Sequence, residues 1–86
     1  MKVLKFEATW CAPCKMLKEV ISNIETDVVI ESIDIDTNSD LAAQYNIRSV
    51  PTCIIVDDEG NEVSRHIGMM NKDTFNEFIK IGRAHV

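Results

Sequence analysis

Cys11 and Cys14 are the residues of this chain with the clearest capacity for chemistry. Two cysteines three apart can be joined and reopened as a disulfide, or can supply half of a zinc site. The run Trp10-Cys11-Ala12-Pro13-Cys14 lies between a strand-like segment and a helix-like one. A helix N-terminus has unpaired N–H groups and about half a positive charge, which together stabilise a thiolate. Cys11 falls at the cap and is expected to be the exposed nucleophile of low pKa. Cys14, one turn later, is placed to attack a mixed disulfide on Cys11 and release the reduced substrate. Pro13 suits the first turn, where its missing N–H costs nothing, and Trp10 offers an apolar contact surface. Zinc is the competing reading. It takes four ligands, usually with a second pair at similar spacing, whereas Cys53, His66 and His85 stand apart from one another. No metal is expected.

The elements that must position this pair follow from periodicity. Val3 to Ala8 reads as a strand with Leu4, Phe6 and Ala8 on one side. From Pro13 to about Glu25, Leu17, Val20, Ile21 and Ile24 form one helical stripe. Val28 to Ile35 is a second strand, and Asn38 or Ser39 caps a short helix through Leu41, Ala42 and Tyr45. Thr52 to Val56, the turn Asp58-Glu59-Gly60-Asn61 and Glu62 to Ile67 read as an antiparallel hairpin. Asn71 caps a last helix with Phe75, Phe78 and Ile79 inward. The order β-α-β-α-β-β-α predicts an α/β domain: a four-stranded mixed sheet with flanking helices, its first two strands parallel.

Size and composition agree with one small domain. The chain has 86 residues, 45% of them apolar, and a formal net charge of −5. It shows no Lys/Arg cluster, so neither nucleic acid nor an acidic membrane is an expected partner. No apolar run approaches the roughly 20 residues that span a bilayer. The N-terminus does not read as a signal peptide, so a cytoplasmic, reducing setting is expected. There a close cysteine pair is more often catalytic or metal-binding than a structural staple, and the odd count of three cysteines also argues against a disulfide framework.

Trp10-Cys11-Ala12-Pro13-Cys14-Lys15 resembles the active site of the thioredoxin family, with Ala12 where Gly is usual. Three further segments follow in the family's order: Ile47-Arg48-Ser49-Val50-Pro51-Thr52, Asp58-Glu59-Gly60, and Gly68 after the last strand. The resemblance runs from Val3 to about Lys80 and is to the minimal form of the fold, without the N-terminal strand and helix of longer members. It implies a reductant of protein disulfides working through the Cys11–Cys14 couple, with no bound cofactor. It also implies a thioredoxin reductase-type electron donor, and a monomer is expected. Substrate contacts would fall to Trp10, Ala12, Pro13, Val50, Pro51 and Gly68. Pro51 is implied to be cis, with the Val50 backbone pairing with an extended substrate. A glutaredoxin-like, glutathione-linked enzyme is one alternative, and a binding module with incidental redox chemistry is another.

Other residues carry weaker signals. Lys5 stands where typical thioredoxins place a buried Asp that handles the proton of the resolving cysteine. Lys5 cannot act as a carboxylate base, so either water or Glu7 moves that proton or the resolving step is tuned differently; the favoured expectation is that Lys5 snorkels to solvent and does nothing chemical. Cys53 reads as a small core hydrophobe, with a regulatory thiol as the alternative. His66 reads as a surface or edge residue. Met69 and Met70 could form an adaptable substrate rim or pack the loop against the last helix. Asp34, Asp36 and Asp40 lack the calcium-loop pattern and read as a solvated face. The domain is expected to span residues 1–80. Residues 81–86, Ile81-Gly82-Arg83-Ala84-His85-Val86, match one reading frame of a common sequencing-library adapter and are expected to be a non-native tail, with Gly82 interrupting the helix. His85 is set aside for that reason.

Overall fold

The computed structural model describes residues 1–85. β1 (Lys2–Glu7) leads to α1 (Ala12–Ser22), β2 (Val29–Asp34), α2 (Ser39–Gln44), β3 (Thr52–Val56), β4 (Glu62–Ile67) and α3 (Lys72–His85). The strands form one mixed sheet in the order β2-β1-β3-β4. β1 and β2 are parallel, and β3 is antiparallel to both β1 and β4.

Alternation along the strands divides the core between the two faces of the sheet. On one face, Val3, Cys53 and Ile55 meet Leu17 of α1 and Phe75, Phe78 and Ile79 of α3. On the other, Leu4, Phe6, Ile33, Ile54 and Val56 are covered by Leu41 and Ala42 of α2, with Tyr45 and Ile47 behind them. All five residues of β3 are buried, as a central strand covered on both faces must be. Each large side chain removed from water in this way contributes about 1.5–3 kcal/mol.

The helix ends show local chemistry at work. α1 stops at Ser22, short of the expected Glu25, because Asn23 takes the C-cap and donates from Nδ2 to the Glu19 carbonyl at 3.0 Å. Ile24 still packs on the core from outside the helix. Asn38 precedes α2 at the cap position, but its side chain turns back to donate to the Asp34 carbonyl at 3.1 Å rather than capping. Asn71 Oδ1 accepts from the Thr74 N–H at 2.8 Å, the cap expected for α3.

The expected interruption at Gly82 does not occur. α3 runs on to His85, and Gly82 is buried against Ile55, where a Cβ would overlap that side chain. A glycine costs about 1 kcal/mol of helix propensity, and here close packing offsets it. Val86 lies outside the described residues. In the β3–β4 turn, Asp57 Oδ1 accepts from the N–H groups of Glu59 and Asn61, each at 2.9 Å. Gly60 takes the left-handed φ of +84° that the turn needs. The N–H of Asn61, followed by those of Glu59 and Gly60, holds the half-buried Asp57 carboxyl below its ordinary range.

Candidate active site

The chain leaves β1 at Glu7 and turns through Ala8-Thr9-Trp10 into α1. Cys11 is the N-cap of that helix. Its backbone is extended (φ −95°, ψ 107°), and its sulfur accepts the Cys14 N–H at 3.2 Å. That contact satisfies one of the donors a helix start leaves unpaired. Cys11 and Cys14 are joined in a disulfide, with Cα atoms 5.3 Å apart, a separation that disulfides commonly span.

Cys11 is not the exposed residue the sequence suggests. It is 5% exposed and Cys14 4%, because the bridge packs into Ala8, Val50 and Ile35. The exposed part of the motif is Trp10, at 67%, together with Ala12 and Pro13. Trp10 Nε1 donates to Asp36 Oδ2 at 3.0 Å. Reading Asp34, Asp36 and Asp40 as a solvated face misses that role for Asp36. Nothing in their spacing points to a residue 26 positions away.

Across from the cysteines, Cys11 Sγ lies 3.6 Å from the Val50 carbonyl oxygen. In the disulfide there is no thiol proton to share, so this is a contact only. The Val50–Pro51 peptide bond is cis, and Pro51 is buried while Val50 is half-buried. The Gly68 N–H donates to the Pro51 carbonyl at 2.8 Å, with Gly68 at a φ of +100°. The segments bearing Cys11, Val50–Pro51 and Gly68 are thus linked contact by contact, although they are far apart in sequence. Beside Gly68, Ile67 is exposed. Of the two methionines that follow, Met70 enters the core and Met69 stays at the surface.

The remaining candidates separate cleanly. Cys53 is fully buried, and burial pushes its thiol up to about 12, with Lys5 pulling the other way and Glu7 adding to the rise. His66 sits on the outer strand β4, its Nε2 3.3 Å from the Met69 carbonyl and its ring edge-on to Phe78. Among the described residues, no three of His, Cys, Asp and Glu converge on a metal-sized site. Lys5 corrects an expectation: it does not reach solvent. It is 3% exposed, and its Nζ stands 3.1 Å from Glu7 Oε1. The reason is topological. Residue 5 of a strand whose Val3 faces α1 and α3 must face them too, and the nearest opposite charge lies two residues along the same face.

The thioredoxin family model matches residues 1–81. This chain belongs to the thioredoxin family. It is 39% identical over 80 residues to thioredoxin of Chlamydia pneumoniae, covering 90% of this chain and 78% of that protein. It is 34% identical over 82 residues to mitochondrial thioredoxin of Bos taurus, covering 91% of this chain and 49% of that longer protein. The solved structure of a mutant thioredoxin from Halobacterium salinarum superposes with a TM-score of 0.83 at 35% identity, covering 91% of this chain and 70% of that one. With its cysteine pair bridged at the helix start, this thioredoxin-family chain is a thiol–disulfide oxidoreductase. Its substrates are protein disulfides, and its electrons come from a reductase, as in the family generally. Among the described residues no helix is long and apolar enough to cross a membrane.

Proposed function

We propose that Cys11 is the attacking thiol and Cys14 the resolving thiol of a dithiol reductant. The observation that carries this is the position of the Cys11 sulfur at the N-cap of α1, accepting the Cys14 N–H. Partial positive charge at that end favours the thiolate, and the thiolate is the attacking species. Cys11 attacks a target disulfide and expels one target sulfur. Cys14 then attacks Cys11, releases the second, and leaves the Cys11–Cys14 bridge for a thioredoxin reductase-type donor to reopen.

Target peptides would lie along Trp10, Ala12, Pro13, Val50, Pro51 and Gly68. Val50 would supply backbone pairing, as in strand addition. Its carbonyl oxygen beside Cys11 Sγ supports that placement. The Gly68 N–H is already donated to Pro51, so Gly68 would contribute an open path rather than a hydrogen bond. Trp10 and Ile67, both largely exposed, would give apolar contact to a target. The protein would act as a monomer in the cytoplasm, where a dithiol is kept reduced. Every residue in this reading lies within 1–80.

Insulin reduction tests it. The wild-type dithiol should precipitate insulin in the presence of a reductant, and Cys11→Ser should not. Activity that survives Cys11→Ser would sink the assignment. Turnover with glutathione in preference to a thioredoxin reductase would move the protein to the glutaredoxin-like reading. Full biological activity in a Cys11→Ser/Cys14→Ser variant would make it a binding module.

A further inference from the structure

Cys14 must lose a proton before it can attack the mixed disulfide, yet it is almost completely buried. A cleft of about 210 Å³ opens onto it, lined by Glu7, Ala8, Thr9, Cys14, Lys15 and Lys18. Of these neighbours only Glu7 can take a proton from a thiol near neutral pH. A lysine ammonium has donors but no lone pair to offer, and a threonine hydroxyl is far too weak a base. Glu7 is partly open to water through this cleft, its side chain 28% exposed, while on its inner side it meets the buried Lys5 ammonium at 3.1 Å.

We propose that Glu7 is the proton acceptor for Cys14, held in place by Lys5 as its buried counter-ion. This rests on the reading of Cys14 as the resolving thiol. In the mixed disulfide the Cys14 thiol gives its proton to the Glu7 carboxylate, directly or through one water in the cleft. The Cys14 thiolate attacks Cys11 Sγ, the Cys11–Cys14 bond forms, and the bond from Cys11 to the substrate breaks. The electron pair leaves with the substrate sulfur, and the proton on Glu7 returns to that sulfur or to solvent. The dithiol is oxidised by two electrons and the substrate disulfide is reduced by two.

Lys5 acts through Glu7 and is a positioning residue. It lies opposite Cys53 in the β1–β3 register, on the face covered by α1 and α3, so an ammonium there has little access to water. Its charge needs a partner, and the ion pair keeps the carboxylate at the Cys14 end of β1. The groups facing Glu7 are Lys5 on its own strand, Asp34 opposite it on β2, Cys53 on β3, and Lys15 and Lys18 from α1. Three ammoniums against one further carboxylate give the site a surplus of positive charge, which suits a thiolate forming at Cys14.

Stopped-flow reaction of the reduced protein with an aromatic disulfide, 5,5′-dithiobis(2-nitrobenzoate), separates the two steps. Attack by Cys11 releases one coloured thiolate, and resolution by Cys14 releases the second. In Glu7→Gln the ratio of second-phase to first-phase rate should fall on the order of tenfold to a hundredfold near pH 7. The deficit should shrink as pH rises and hydroxide removes the Cys14 proton unaided. Glu7→Asp, which keeps a carboxylate, should recover part of the rate. Because Glu7→Gln strands a buried ammonium, Lys5→Met and Lys5→Met/Glu7→Gln are compared as well, and the double variant should still resolve more slowly than Lys5→Met. A second phase with wild-type rate and pH profile in Glu7→Gln overturns the proposal. So does a double variant that resolves as fast as Lys5→Met. A missing first phase in the wild-type protein would strike instead at the assignment of Cys11.

Discussion

Two of the three cysteines and the third occupy opposite kinds of site within one small fold. Cys11 and Cys14 stand where a strand hands over to a helix, under an exposed tryptophan and beside a cleft. Cys53 lies in the central strand, sealed between β1, β4 and the helices on that face. All three are buried, so burial alone does not separate a reactive thiol from an inert one. What differs is the neighbours. The bridged pair has a helix start that supplies one N–H donor, that of Cys14, to the Cys11 sulfur. Around Cys53, desolvation dominates and holds the thiol protonated far above its ordinary range.

The largest effect that would break this contrast is on turnover. Cys11→Ser and Cys14→Ser should each bring disulfide reduction down to the uncatalysed background, whereas Cys53→Ala should turn over like wild type. A folded Cys53→Ala protein without activity would make Cys53 a participant and end the division.

Next in size is an alkaline dependence of stability. The Cys53 thiol is raised from 9.0 to about 12 in the folded protein, so above pH 9 the unfolded chain ionises first and is favoured. The stabilising contribution is therefore complete below pH 9 and lost as pH rises towards 12, at up to about 1.4 kcal/mol per pH unit. Urea midpoints of the oxidised protein, followed from about pH 9 to about pH 11, should fall more steeply in wild type than in Cys53→Ala. Parallel slopes would show that Cys53 has access to water.

At neutral pH the same Cys53→Ala change should cost about 1–2 kcal/mol, from a lost sulfur and a small cavity. Denaturant unfolding checks it, and a neutral result would mean that this part of the core is loosely packed. The smallest effect belongs to the active-site rim. Trp10→Phe removes the hydrogen bond to Asp36 from an exposed ring, so stability should move by no more than about 0.5 kcal/mol. A loss of more than that would show the rim to be structural, like the site of Cys53.

Much of this is legible in the residues. The helical stripe from Leu17, the alternation around Ile33 and the caps at Cys11 and Asn71 are short-range patterns, and each corresponds to the expected element. The misreadings concern what meets what across the fold. Lys5 is misplaced in water because a strand period says which side a residue faces but not how deeply that side is covered. Gly82 is misread as a break in α3 because propensity carries no information about Ile55 packed against it. Cys11 is misread as exposed because helix capping predicts hydrogen bonds and not what packs over the cap.

By itself, then, the sequence determined the spacing that lets two sulfurs bond, the helix that starts on the first of them, and the order of strands around it, all properties of neighbours along the chain. Only the tertiary structure decided that Val50 lies against Cys11, that Asp36 receives Trp10, and that Glu7, paired with a buried Lys5, shares a cleft with Cys14. The first two contacts join segments whose separation is set by packing the whole sheet, and the third depends on how deeply one face of β1 is covered; no local pattern of residue types encodes either.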